Sequence, residues 1–213
     1  MIARCAMVAY GHSWVQGDGA SDPRHRMVDL VARSLALSPC NLGVGGSSTT
    51  ETATHIAKCP PPSAQLYLLL AGLNDARLYG KAREGLARYA EALRSIVEAC
   101  RSSAPLATIV VVEQPHLLDY SRYPPHDQGS DDAVDLYNAA LRRVARQLVS
   151  PSHAVLVARA AQWDQATMLA DDTVHPNDAG HAELARSVTD TVVAYRSASA
   201  EASIMASTRP VQD

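Results

Sequence analysis

The chain carries a serine, an aspartate and a histidine in an order that could do acyl chemistry. Ser13 stands two residues after Gly11, behind the short apolar run Met7–Tyr10. A hydroxyl at such a strand-ending turn can stand on the rim of a sheet with its amide free. Near the other end, Asp172-Thr173-Val174-His175-Pro176 puts an aspartate and a histidine three apart in a tight turn, where the carboxylate can orient the imidazole. Two further segments are rich in hydrogen-bond donors. Asn41-Leu42-Gly43-Val44-Gly45-Gly46 has glycines that permit positive φ and close backbone approach. Gly72-Leu73-Asn74-Asp75 offers a side-chain amide. Taken singly, each has an ordinary reading: a glycine turn, a loop, a helix cap, a solvated Asp beside a surface His. Together they supply a nucleophile, a base, its orienter and donors for an oxyanion, the set that acyl transfer through a serine requires.

In these blocks the chain resembles the SGNH (GDSL-type) hydrolase/esterase family, over about Met7 to Ala185. The family's Gly-Asp-Ser block is here Gly11-His12-Ser13, and its Asn-x-Gly-x-x-Gly block is Asn41 to Gly46. Its Gly-x-Asn-Asp block is Gly72 to Asp75, and its Asp-x-x-His-Pro block is Asp172 to Pro176. The resemblance implies a flavodoxin-like three-layer α/β/α sandwich around a five-stranded parallel sheet, strand order 2-1-3-4-5. It implies Ser13 as nucleophile, His175 as base and Asp172 as orienter. The implied oxyanion hole is the N–H of Ser13, the N–H of Gly46 and the amide of Asn74. The implied activity is that of a serine esterase cleaving a small or medium acyl ester through an acyl-enzyme, with no metal or organic cofactor. An acyltransferase or tailoring enzyme of a biosynthetic pathway, with a non-water acceptor, is the alternative. The departure is His12, where the family has Asp. Either its ring braces the turn, or it contacts and tunes the substrate or acceptor.

Groups used in this way need a frame. Met7–Tyr10, Cys40–Val44, Gln65–Leu70, Ala107–Val112 and Ala154–Val157 are short apolar runs of strand length. The third and fourth are apolar on both faces, as central parallel strands must be. Helices are expected between them: one opened by Asp22-Pro23, one over Thr50–Ala57, one from about Lys81 to Arg101, one from Ser130 to about Val149, and a last one after Pro176-Asn177. Strand and helix alternating in this way predict an α/β fold whose parallel sheet is covered on both faces, with sites beyond the carboxyl ends of the strands. All four blocks fall there. Gln114–Ser130 has no clear period. A loop so long in a compact domain is usually functional or mobile, and over the active edge it has the makings of a partial lid. Its His116, Tyr120, Tyr123 and His126 are candidates for substrate contact. Trp14 is a candidate for the acyl pocket or for packing. Asp75 is expected to hold the Asn74 loop by accepting backbone N–H bonds, with His181 on the surface and Asp171 solvated.

With 213 residues, 47% of them hydrophobic and 19% charged, the chain has ordinary globular usage. One domain is expected over 1–198, with a flexible C-terminal tail over 199–213. A net charge of −3 leaves no basic surplus for phosphate, so nucleic acid is not an expected partner. No run of apolar residues is long enough to span a membrane. Tyr10, Gly11, His12 and Ser13 come too soon for a signal-peptide apolar segment. The expectation is a cytoplasmic protein whose partner is a small-molecule acyl ester, with its oligomeric state open. Cys5, Cys40, Cys59 and Cys100 match no zinc or redox spacing and are expected to be reduced thiols. Basic residues are nearly all Arg, with Lys only at 58 and 81, a bias that suggests a GC-rich bacterial genome.

Overall fold

Five short segments pair side by side as parallel strands: β1 (Met7–Gly11), β2 (Pro39–Gly43), β3 (Leu66–Leu70), β4 (Thr108–Val112) and β5 (Val155–Ala158). The structure, a computed structural model, describes residues 5–150 and 153–207. The strand order is β2-β1-β3-β4-β5, the order the resemblance implied. Gly11 lies level with Gly43 on one side and Leu70 on the other, so three chains leave the sheet at one edge.

The helices are α1 (Ser13–Gln16), α2 (Met27–Ser34), α3 (Thr49–Lys58), α4 (Leu73–Tyr79), α5 (Arg83–Ser103), α6 (Asp131–Leu148) and α7 (Asp178–Ser207). Successive strand side chains point to opposite faces. Met7, Ala9, Leu68 and Val110 therefore pack with Val31 of α2 and Val188 of α7. Val8, Tyr10, Leu69 and Val111 pack with Ile96 of α5 and Leu141 of α6. Each fully buried Leu or Val is worth about 1.5–3 kcal/mol. Strands apolar on both faces thus require helices on both, which makes three layers.

Several local features differ from expectation. Asp22-Pro23 opens a 3₁₀ turn over Pro23–His25, with Asp22 accepting the Arg24 N–H, and extended Arg26 separates it from α2. Ser48 caps α3 in a reciprocal box with Glu51, so that helix starts before Thr50. The short α4 lies between Gly72 (φ 112) and Gly80 (φ 51) and is too brief to show a period. The last helix runs on to Ser207, through the segment expected to be a tail from 199, while 208–213 lie outside the described residues.

The expectation of four reduced thiols fails at one pair. Cys5 precedes β1, Cys40 lies in β2 opposite Val8, and the two form a disulfide with Cα atoms 5.6 Å apart. Strand pairing brings together residues 35 apart in sequence, a closeness that cysteine spacing cannot reveal. Cys59 is free and exposed, and Cys100 is free and buried. Among the described residues, no helix is long and apolar enough to cross a membrane.

Candidate active site

The turn after β1 is shaped by Gly11. A Cβ there would stand 2.0 Å from the Leu70 carbonyl oxygen. Ser13 then opens α1, with His12 as its N-cap. The first N–H groups of a helix have no partner inside it. The His12 ring takes that of Trp14, and the His12 carbonyl takes those of Val15 and Gln16. The Ser13 N–H has no such partner among the described residues.

The opposing turn is held by Asp172. Its Oδ1 accepts the N–H groups of Val174 (3.0 Å) and His175 (2.9 Å), and Thr173 reverses the chain at φ 66. Asp172 Oδ2 lies 2.5 Å from His175 Nδ1. The other ring nitrogen, Nε2, lies 3.0 Å from Ser13 Oγ across 162 residues of sequence. With the ring proton on Nδ1 facing the carboxylate, Nε2 is the acceptor for the serine hydroxyl. Burial pushes the Asp172 carboxyl up. The hydrogen bonds from His175 and Val174 outweigh that and hold it below the usual carboxylate range.

Asn74 lies in the first turn of α4 but caps nothing, because the N-cap is Gly72. Its amide donates one hydrogen to the Ser47 carbonyl at 3.0 Å. The second hydrogen remains for a ligand. The same bond ties α4 to the loop of Gly46, which is exposed with φ 75. That loop is also braced to α1. Gln16 Oε1 accepts the Gly45 N–H at 2.5 Å, and Asn41 donates to the Val15 carbonyl at 2.6 Å. Buried Asp75 accepts the Thr49 N–H (2.9 Å) and hydroxyl (2.8 Å), tying α4 to the start of α3. Burial pushes the Asp75 carboxyl up, and the two Thr49 bonds pull it partly back.

His12 does not face a cleft. It is 1% exposed, and its Nε2 lies 3.1 Å from Gln114 Oε1. Burial pushes its pKa down to about 3, against the pull of the Gln114 bond and with a push from the charges of His175 and Arg77. One neutral tautomer serves both contacts. Nε2–H donates to Gln114, while Nδ1 accepts from Trp14. This geometry is that of a brace.

Trp14 does not line an acyl pocket. It is 0% exposed, its indole N–H donates to the Val174 carbonyl at 3.1 Å, and it stacks on Trp163. The turn of α1 points it inward beneath the serine, where it ties the Ser13 turn to the His175 turn. His181 is not on the surface either. It is fully buried where α7 meets the segment before α2, accepting from Met27 N–H and donating to the Asp18 carbonyl at 3.1 Å. Asp171 is exposed.

Of the four long-loop candidates, Tyr123 reaches the Ser–His–Asp group. Its hydroxyl lies 3.3 Å from Asp172 Oδ2, and its half-exposed ring stands 6.1 Å from the imidazole. Tyr120 supports the loop instead, donating to Asp131 and accepting from the Leu117 N–H. His116 bonds Asp135 at 2.9 Å and lines a separate open pocket of about 1190 Å³ with Glu113, Arg142 and Arg159. His126 is half-buried, and the charge of Arg77 reaches it. The loop is clamped to α4 by buried Arg77, which donates to the Arg122 carbonyl and accepts from the Gln128 N–H. Three contributors carry no motif signal in the sequence. They are Gln114 behind His12, Gln16 behind Gly45, and Asp18, whose Oδ2 is 4.0 Å from His175 Nε2.

The profile of the GDSL-like lipase/acylhydrolase family matches residues 9–183. A family 3 carbohydrate esterase from Clostridium thermocellum has a similar structure, with TM-score 0.68 and 18% identity over 91% of this chain and 98% of that one. A family 3 carbohydrate esterase from Talaromyces cellulolyticus is similar at TM-score 0.64 and 16% identity, over 89% and 97%. A salicylyl-acyltransferase from a tetracycline biosynthetic pathway is similar at TM-score 0.67 and 21% identity, over 91% of this chain and 55% of that one. At such identities the likeness is one of fold. No curated protein matches the chain. The family profile spans most of the sequence and contains the whole Ser–His–Asp group and the glycine and asparagine loops, so the chain belongs to the GDSL-like lipase/acylhydrolase family.

Proposed function

We propose that the protein is a serine esterase that cleaves a small or medium acyl ester through an acyl-enzyme on Ser13. The observation that carries this reading is the 3.0 Å contact between Ser13 Oγ and His175 Nε2, with Asp172 on the other ring nitrogen. In the first half-reaction Ser13 Oγ attacks the carbonyl carbon while Nε2 takes the hydroxyl proton. The Ser13 and Gly46 N–H groups and the Asn74 amide receive the oxyanion, and one such donor is worth about 10²–10³ in rate. The C–O bond then breaks, and His175 gives its proton to the departing alcohol. In the second half, water attacks the acyl carbon and gives a proton to His175, which returns it to Ser13 as the acid leaves.

Acyl transfer to an alcohol or amine is the second reading. It is favoured by the likeness to the salicylyl-acyltransferase and shares every step up to the acyl-enzyme. Two measurements test the proposal. A fluorophosphonate should label Ser13, and p-nitrophenyl acetate or butyrate should turn over in wild type but not in Ser13→Ala. A label on another residue, or Ser13→Ala retaining more than about a tenth of the activity, refutes it. Turnover that rises only when an alcohol or amine is added selects the transferase.

A further inference from the structure

A second carboxylate stands at the working side of His175. Asp172 occupies Nδ1, but Asp18 Oδ2 is 4.0 Å from Nε2, the nitrogen that faces Ser13. The Asp18 side chain is 40% exposed, so it is open to an incoming molecule. Among the described residues its one ion-pair partner is that imidazole.

The loop that presents Asp18 is pinned from several sides. Its N–H donates to the Ser13 carbonyl at 3.0 Å, and its carbonyl accepts from His181 Nε2 at 3.1 Å. Gly17 (φ 108) and Gly19 (φ 90) flank it. A Cβ on Gly19 would lie 2.2 Å from the Pro176 carbonyl oxygen, so the loop packs directly on the turn that carries His175. A Cβ on Gly45 would lie 3.7 Å from Asp18 Oδ2, which places the carboxylate between the base and the glycine loop. Tyr123 presents a half-exposed ring to the same imidazole. A carboxylate and an aromatic face both attract cations. Of the guanidinium groups near Tyr123, Arg122 pairs with Asp119, and Arg77 lies buried beneath the loop and donates to the Arg122 carbonyl.

In the esterase reading, on which this inference rests, Nε2 hands its proton to the leaving oxygen. The first atoms of the alcohol must therefore lie within a few ångströms of Nε2, and so beside Asp18. We propose that Asp18 is a specificity-determining residue that selects esters whose alcohol part carries a positive charge, an ammonium group a few bonds from the ester oxygen. The chemistry is unchanged by this. The alcohol takes its proton from His175 and leaves with its cation intact.

The test uses two acetates of one shape, acetylcholine and its uncharged isostere 3,3-dimethylbutyl acetate. The readout is the ratio of their kcat/KM values, which cancels any general damage to catalysis. At low salt the wild type should favour the charged ester by about five- to tenfold, the effect of one carboxylate a few ångströms away in a partly solvated site. Asp18→Asn should bring the ratio to about one, Asp18→Glu should keep most of it, and high salt should shrink it. A wild-type ratio near one, or an Asp18→Asn ratio within about twofold of wild type, overturns the proposal. If neither acetate turns over, the labelling rates of Ser13 by a charged and an uncharged phosphonate of matched shape give the same ratio. Failure of Ser13 to label at all is a distinct result, which removes the esterase reading and this inference with it.

Discussion

His12→Ala should cost stability first. Three consequences follow from its contacts. The cap on α1 disappears, because the Trp14 N–H loses its acceptor, a loss of about 0.5–2 kcal/mol. Gln114 Oε1, buried and bonded to His12 Nε2, is left without its partner, at about 1–3 kcal/mol. The imidazole volume becomes a void in a tightly packed place. We expect a loss of about 2–5 kcal/mol in all. For a chain of this size that is a fall in Tm of about 5–15 °C, read by calorimetry at pH 7. His12→Asp should recover most of it, since a carboxylate can accept the Trp14 N–H, and the Gln114 amide can turn its NH₂ toward the new acceptor.

The acid side carries a second signature of the same residue. The His12 pKa is near 3 in the folded protein, because burial opposes the charged ring. In the unfolded chain it returns to about 6.5. The unfolded state therefore binds more protons between these values. Stability contributed by His12 is full above pH 6.5 and is lost as the pH falls toward 3, by up to about 1.4 kcal/mol per pH unit. His181, also lowered by burial, acts in the same direction. Between pH 6 and 4.5 the slope of unfolding free energy against pH should thus be shallower in His12→Ala than in wild type, with His181 and His126, both lowered by burial, supplying part of what remains. A Tm within about 1 °C of wild type, or an unchanged slope, would refute the brace.

Three further outcomes follow from the site. Asn74→Ala should lower kcat by about 10²–10³ with KM changed less, because the bond to the oxyanion strengthens in the transition state; a lower Tm with kcat intact would mean that the amide only holds Ser47. Asp172→Asn should keep its circular dichroism, since Asn Oδ1 can still accept the Val174 and His175 N–H groups, yet lose up to about 10⁴ in kcat. Activity above about a tenth of wild type would count against an orienting carboxylate. Gly19→Ala forces an L side chain to φ 90 with its Cβ 2.2 Å from the Pro176 oxygen, and should cost at least about 1–3 kcal/mol; an unchanged melt would contradict the packing of that loop on the His175 turn.

The parts of this protein that could be read from its sequence are those made by neighbours in the chain. Apolar runs such as Leu66–Leu70 and Thr108–Val112 need only their own side chains to declare a strand buried on both faces. Ser130 with Asp131 and Asp132 announces a helix start by local hydrogen bonding and dipole alone. The Asp172–His175 turn closes on itself over four residues, so its chemistry is written in one block. The fold class and the blocks around Ser13, Gly46, Asn74 and His175 belong to this kind. What could not be read depends on partners far along the chain. Cys5 meets Cys40 because β1 and β2 pair. His12 is a neutral brace because Gln114, 102 residues away, arrives at its ring. Trp14 and His181 are core residues rather than pocket and surface because α1 and α7 close over them, and burial is a property of the packed whole. Asp18 owes its place beside His175 to two glycines whose missing side chains let the loop after α1 settle on the turn at Pro176.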